Sequence, residues 1–280
     1  MKDVVPSVKQ KFEGRITELD LLRGIAVVLM VLDHTMYDVA FFMPEIFGFY
    51  VMGSFWAKFA VLAADYWWWS VRRIVRQAVL FIFLGLTGVS CSFSRSNMKR
   101  GLKLGAFALA LSLATYLIDL IAHLGGQLTI VFGILHCIAL SLVIVALIQK
   151  ITQNKWVYLA IGVIMVAVGR LLFDPLHPPF EYYVGSGNFF EQFWQAFVGN
   201  ILLGPDSYSF PYYGGQVFIG VFLGKLLYPE RKPLLFKKGY SNNPLTFVGR
   251  HALIVYIAHQ VIVPLVLGVI LLLCGYSISF

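Results

Sequence analysis

Charge is scarce in this sequence. Asp, Glu, Lys and Arg make up 13% of its 280 residues against 59% hydrophobic, and the mean hydropathy is +0.78. A water-soluble fold of this length has no use for so much apolar surface, so the chain reads as an integral membrane protein. Cysteine is scarcer still. Cys91, Cys137 and Cys274 each lie inside an apolar run, a pattern that gives neither a disulfide framework nor a zinc-ligand spacing. Also missing are an internal repeat, a low-complexity tract and a separate polar domain. The opening MKDVVPSVKQKFEGR lacks the short apolar core and small-residue cleavage site of a secretory signal, which suggests a cytoplasmic tail over 1–14. The formal charge of +8 does not point to nucleic acid, because the basic residues cluster between apolar spans as membrane topology requires.

What is present is a series of apolar stretches. The region 15–42 and the runs at roughly 71–93, 101–122, 128–148, 156–173, 211–228 and 245–274 are each long enough to cross a bilayer, which needs about 20 apolar residues. They predict an all-α polytopic helix bundle forming one domain over 1–280, with about seven transmembrane helices. Met43 to Ser70, rich in aromatics and interrupted by Lys58 and Asp65, reads as an interfacial or re-entrant segment; as a crossing it would make eight. With the N-terminus inside, the segments 1–18, 94–103, 149–155 and 225–243 carry most of the 22 Lys and Arg on the cytoplasmic side. That favours N-in, C-out. Arg72, Arg73 and Arg76 are the outer exceptions. They either snorkel to the interface or help hold an anionic or sugar-rich acceptor, with Trp67 to Trp69 offering rings for stacking. The turn-rich connection FDPLHPPFEYYVGSGN and the amphipathic Phe189 to Leu203 should cap one side.

The first span, RITELDLLRGIAVVLMVLDHTMYDVAFF, carries Asp20, Arg23, Asp33, His34 and Asp38. Ionisable groups at membrane depth are expensive and mark sites or pathways. The step of eleven from Arg23 to His34 returns to nearly the same helix azimuth, so Asp20, Arg23, His34 and Asp38 form one polar seam, with Asp33 a quarter-turn aside. Counting about 1.5 Å per residue, His34 and His259 lie a little over 20 Å into their helices and His136 falls near the same level. A single intramembrane His often does no more than hydrogen-bond a neighbouring helix. Three at one depth suggest a shared cavity, whereas His123 and His177 should simply meet water. At the other end Arg23, Arg95, Arg100, Lys103 and Arg250 near helix starts suit phosphate groups, with Lys99 an ordinary inside charge.

The stretches ELDLLRGIAV, FIFLGLTGVSCSFSRS, RGLKLGAFALALSLATY, FGILHCIALS, DPLHPP, FPYYGGQVFIGVFLG and LTFVGRHALIVYIAHQ, in this order over about 15–265, resemble the short prokaryotic form of the heparan-α-glucosaminide N-acetyltransferase catalytic-domain family. Arg23 and His34, ten residues between them, match the Arg-x10-His pattern of the wider transmembrane acyltransferase superfamily. The animal lysosomal enzymes place their proposed active histidine after the first span, whereas here no His occurs between Thr35 and Ala122. The resemblance implies a multi-pass cell-membrane acyltransferase that moves an acyl group, usually acetyl, from cytoplasmic acyl-CoA to a hydroxyl or amine of an extracytoplasmic acceptor such as a glycan. On that reading acetyl-CoA is the donor and no metal is needed. Arg23, with Asp20, Arg95, Arg100, Lys103 and Arg250, is on the CoA side, and His34 is the base. Asp33 or Asp38 would orient the imidazole, and His136 and His259 would bind acceptor or oxyanion. A covalent acyl-His, or an acyl-Cys on Cys91 or Cys137, stays open, as does self-association. The rival class is a transporter or proton-coupled permease, which also wants midplane histidines. It would show an inverted repeat or paired broken helices, and the chain has neither.

Overall fold

A computed structural model describes residues 15–48, 53–123, 125–177, 180–181, 188–236 and 241–278, and the described chain is almost wholly helical. The first helix, α1 (Thr17–Tyr37), runs through a π-helical turn (Asp38–Phe42) into α2 (Met43–Phe47) and stops at Gly48, whose φ of 58° is the left-handed value that ends helices. Then come α3 (Phe55–Trp68), α4 (Ser70–Cys91), α5 (Asn97–Ala122), α6 (Ile134–Ile151), α7 (Lys155–Leu172) and α8 (Phe189–Val198). A second π turn (Phe210–Gly214) leads into α9 (Gly215–Leu227), and α10 (Pro244–Arg250) and α11 (Ala252–Leu273) follow. Two-residue strands β1 (Phe180–Glu181) and β2 (Leu202–Leu203) pair in parallel.

The starts follow from the sequence. Ser54, Ser96, Asn154 and Asn188 each accept a backbone N–H of the first turn they precede. Asn243 and Thr246 exchange side-chain and backbone bonds ahead of α10, a capping box with Pro244 at the first helical position.

Six helices are long and apolar enough to span a membrane: Thr17–Phe47, Ser70–Cys91, Asn97–Ala122, Ile134–Ile151, Lys155–Leu172 and Ala252–Leu273. The expected seventh span, 211–228, does form as a helix from Phe210 to Leu227, but it is not among these six. Its Gln216 and glycines face inward, where packing has replaced hydropathy. Met43 to Ser70 resolves into the end of the first span and α3, whose 14 residues reach only about 21 Å. The span expected at 128–148 begins at Ile134 instead, for a visible reason. The buried Asp119 carboxylate accepts the backbone N–H groups of Gly126, Leu128 and Thr129 and the Thr129 hydroxyl, so it holds those residues as a loop.

Two units divide the chain. Unit 1 comprises 1–83 and 233–280. Within it α10 crosses the start of α1 at Gly24 and Gly249, and a Cβ on either would strike the other helix's backbone, at the Leu245 and Asp20 carbonyls respectively. Ser241 N–H donates to Thr17 Oγ1 and Leu234 N–H to Glu18 Oε1, tying the approach to α10 to the same end of α1. From there α11 runs parallel to α1. His259 meets His34, and Leu271 packs with Met43 and Phe47. Unit 2 comprises 84–232. There α5 and α6 are antiparallel, Gly101 lying on Val143 and Gly105 on Ala139. In the same unit α9 is antiparallel to α7, with Gly162 on Ile219 and Gly169 on Tyr212, and parallel to the end of α4, with Gly220 on Gly85 and Gly224 on Val89.

Candidate functional site

On α1 the outward residues Leu22, Ile25, Val28, Leu29 and Leu32 are exposed, as a lipid-facing stripe would be, while Asp20, Gly24, Val27 and Asp33 are buried. Helical spacing therefore puts the polar seam on the packed side of the helix. At its start the Asp20 carboxylate takes both Arg15 and Arg23, each at 3.0 Å. Arg250 donates to Asn242 Oδ1 at 2.8 Å.

About 25 Å along α1, His34 Nδ1 lies 2.6 Å from His259 Nε2. The separation of the ring centres, 4.9 Å, is close to this contact plus one ring radius on each side. The rings therefore meet end-on, with the N–H of one along the in-plane lone pair of the other. The tautomers follow. His259 Nδ1 lies 3.1 Å from the Val255 carbonyl, which can only accept, so Nδ1 of His259 carries a proton. In the neutral ring its Nε2 is then an acceptor, and His34 Nδ1 must donate to it. His34 is left with its lone pair on Nε2, the arrangement a general base requires.

The orienting partner is thus His259, on α11, and neither of the expected carboxylates. Asp33 is committed elsewhere. It accepts from Arg72 in a two-pronged pair, Nε at 2.6 Å and Nη2 at 2.5 Å, and from the Tyr66 hydroxyl at 3.2 Å, with Arg76 Nε at 4.0 Å. The Arg72 guanidinium lies over the Trp67 ring, 3.6 Å from its centre. With 6% of its side chain exposed, Arg72 serves this pair instead of an acceptor. Trp67 is likewise closed to sugar stacking, since Arg72 covers a face and Tyr37 and Phe41 crowd its edges. Arg76 is 36% exposed and Arg73 is half-buried, its guanidinium 3.5 Å from Ser70 Oγ. Asp38 opens the π turn, half-buried and one turn beyond His34.

His136 belongs to unit 2 and has a different setting. Its Nδ1 accepts the Gly133 N–H that precedes α6, and its Nε2 meets Ser112 Oγ at 3.2 Å. Both nitrogens serve a helix start and a helix-to-helix bond. Arg95, Lys99, Arg100 and Lys103 are exposed in that unit, Arg100 donating to Asn97 Oδ1. Cys91 and Cys137 are buried, their neighbours well packed. Among the described residues no group of His, Cys, Asp and Glu could hold a metal ion.

The family model of the heparan-alpha-glucosaminide N-acetyltransferase catalytic region matches residues 15–261. The chain belongs to that family. Neither the curated proteins nor the solved structures contain a match to it. As a member of the heparan-alpha-glucosaminide N-acetyltransferase family with six membrane-length helices, the protein has a membrane acetyltransferase type of function. The match runs across both units and includes Arg23, His34 and His259. Equal depth was the signal that related His34 to His259. Nothing in the sequence related Asp33 to Tyr66, 33 residues away on another helix.

Proposed function

We propose that this protein transfers an acetyl group from cytoplasmic acetyl-CoA to a hydroxyl or amine of an extracytoplasmic glycan. The observation that carries the reading is the His34 imidazole, its Nδ1–H committed to His259 and its Nε2 lone pair directed away from that bond. Arg23 shares its helix face roughly 16 Å nearer the start of α1. An extended CoA arm whose phosphates rest near Arg23 and Arg250 would bring its thioester to the level of His34. There His34 Nε2 takes the acceptor's proton as the acceptor oxygen or nitrogen attacks the thioester carbon. The C–S bond then breaks and the sulfur leaves protonated. Arg76, with Arg73 beside it, is the basic group left for an anionic acceptor once Asp33 has taken Arg72. The burial of Cys91 and Cys137 favours direct transfer over an acyl-cysteine.

The same proposal sets the topology. With α1 and α11 parallel as first and last spans, the number of crossings is odd, and α9, parallel to α4 and antiparallel to α7, supplies the seventh. The Thr17 end would be cytoplasmic and the C-terminus outside. The test is transfer of labelled acetyl in sealed vesicles, with acetyl-CoA on one face and a glucosamine-bearing acceptor on the other. His34→Ala should lower turnover by about 10² to 10⁴ while acetyl-CoA binding and monodispersity persist. Transfer within about threefold of wild type would remove His34 from the chemistry.

A further inference from the structure

A base that becomes an imidazolium is normally steadied by a carboxylate. Here the nearest carboxylate, Asp33, is neutralised by Arg72, with Arg76 adding positive charge beside it. The groups around His34 are Asp33 and Asp38 on α1, Tyr66 on α3 through Asp33, Arg72 and Arg76 on α4, and His259 on α11. The group bonded to the ring is a second imidazole. The geometry points to His34 and His259 acting as a two-site proton relay, in which His259 takes and returns the catalytic proton's charge. This rests on the proposed transferase chemistry.

Three observations converge on it. The nitrogens are 2.6 Å apart, nearer than the usual separation of about 2.9 Å in an N–H···O bond. The end-on alignment of the rings gives a proton a straight path between them. The Val255 carbonyl, accepting from His259 Nδ1, favours added positive charge on that ring.

The steps balance. As the acceptor's proton moves to His34 Nε2 and the acceptor bonds to the acyl carbon, the His34 Nδ1 proton crosses to His259 Nε2. His34 is then a neutral ring protonated on Nε2, and His259 carries the charge with both nitrogens protonated. When the C–S bond breaks, the sulfur takes the His34 Nε2 proton and the His259 Nε2 proton returns to His34 Nδ1. One proton has passed from acceptor to thiol, and the pair is restored. A spectator orienter would need only a lone pair; a relay needs a ring that titrates.

His259→Gln separates the two roles, because an amide oxygen can accept the His34 N–H but cannot take its proton. The relay predicts that His259→Gln and His259→Ala lose turnover alike, by about 10²-fold or more, with acetyl-CoA affinity unchanged. Restoration by Gln to within about threefold of wild type would overturn it. A second measurement needs no acceptor: ¹⁵N spectra of histidine-labelled full-length protein in nanodiscs, assigned with the His34→Ala and His259→Gln variants. The relay predicts that the first proton taken up on acidification moves the ring signals of both residues with one midpoint. In His259→Gln the His34 ring should titrate alone. If wild type moves one ring and leaves the other fixed, the relay fails, whatever the enzyme's acceptor. Joint titration without any acetyl transfer would instead count against the transferase reading and leave the shared proton standing.

Discussion

The buried pair of Asp33 and Arg72 offers a perturbation whose size can be reasoned from its surroundings. Asp33→Asn removes the charge that faces both prongs of Arg72, which keeps only a 3.4 Å contact to the Trp67 carbonyl and the face of the Trp67 ring. Breaking a buried pair from one side costs about 3–5 kcal/mol, and a residual bond from the Asn carbonyl puts this case at about 3. Arg72→Met strands the carboxylate less completely, since Tyr66 still donates and Arg76, at 4.0 Å, can close on it. About 2 kcal/mol is expected there. In the double variant neither charge remains to be stranded, so it should be less destabilised than the sum of the singles by about 2 kcal/mol. Reversible unfolding in mixed micelles, followed by Trp fluorescence, measures all four corners of the cycle. Single costs that add to within about 0.5 kcal/mol would refute the reasoning, because they would mean that the start of α4 is not held to α1 by this contact.

Two further outcomes test the site's other end and the topology. Arg23→Ala should weaken acetyl-CoA binding tenfold or more, about 1.4 kcal/mol, whereas Lys232→Ala, a surface residue paired with Glu230, should leave it unchanged; equal losses in calorimetry at fixed salt would argue against a specific phosphate site. A cysteine at position 230 should label from the same face as one at position 98, because α9 completes a crossing; opposite faces would reduce the spans to six and set α11 against α1.

The sequence located most helices within a few residues, because apolar length and Ser or Asn caps are local signals. Its errors have physical sources. The six residues before Ile134 are apolar enough to extend a span, but Asp119 uses their N–H groups, and no local pattern records that. The break at His251 hides in a continuous apolar run, where α10 has to cross α1 at Gly24 before α11 can run alongside it. Depth counting placed His34 and His259 together, since rise per residue is nearly constant. Azimuth alone could not say which neighbour a ring would choose. Asp33 is adjacent in sequence, yet its carboxylate turns to an arginine 39 residues away. The role of Arg72 was hidden for the same reason, since a guanidinium at a helix start reads as exposed until its partner is known.

The π turn at Asp38 to Phe42 has a consequence for how this chain can change. There the Met43 N–H reaches back five residues to the Asp38 carbonyl, so the turn holds one residue more than an α-helix needs. Loss of a single codon anywhere in those five positions would let the helix run on as plain α and rotate everything beyond by about 100°. His34 and the seam before it would stay in place, while Met43 and Phe47 would swing away from Leu271. The first span therefore carries two reading frames of packing, one for the histidine pair and one for the outer contact with α11, and the surplus residue is the splice that lets both be satisfied by the same helix.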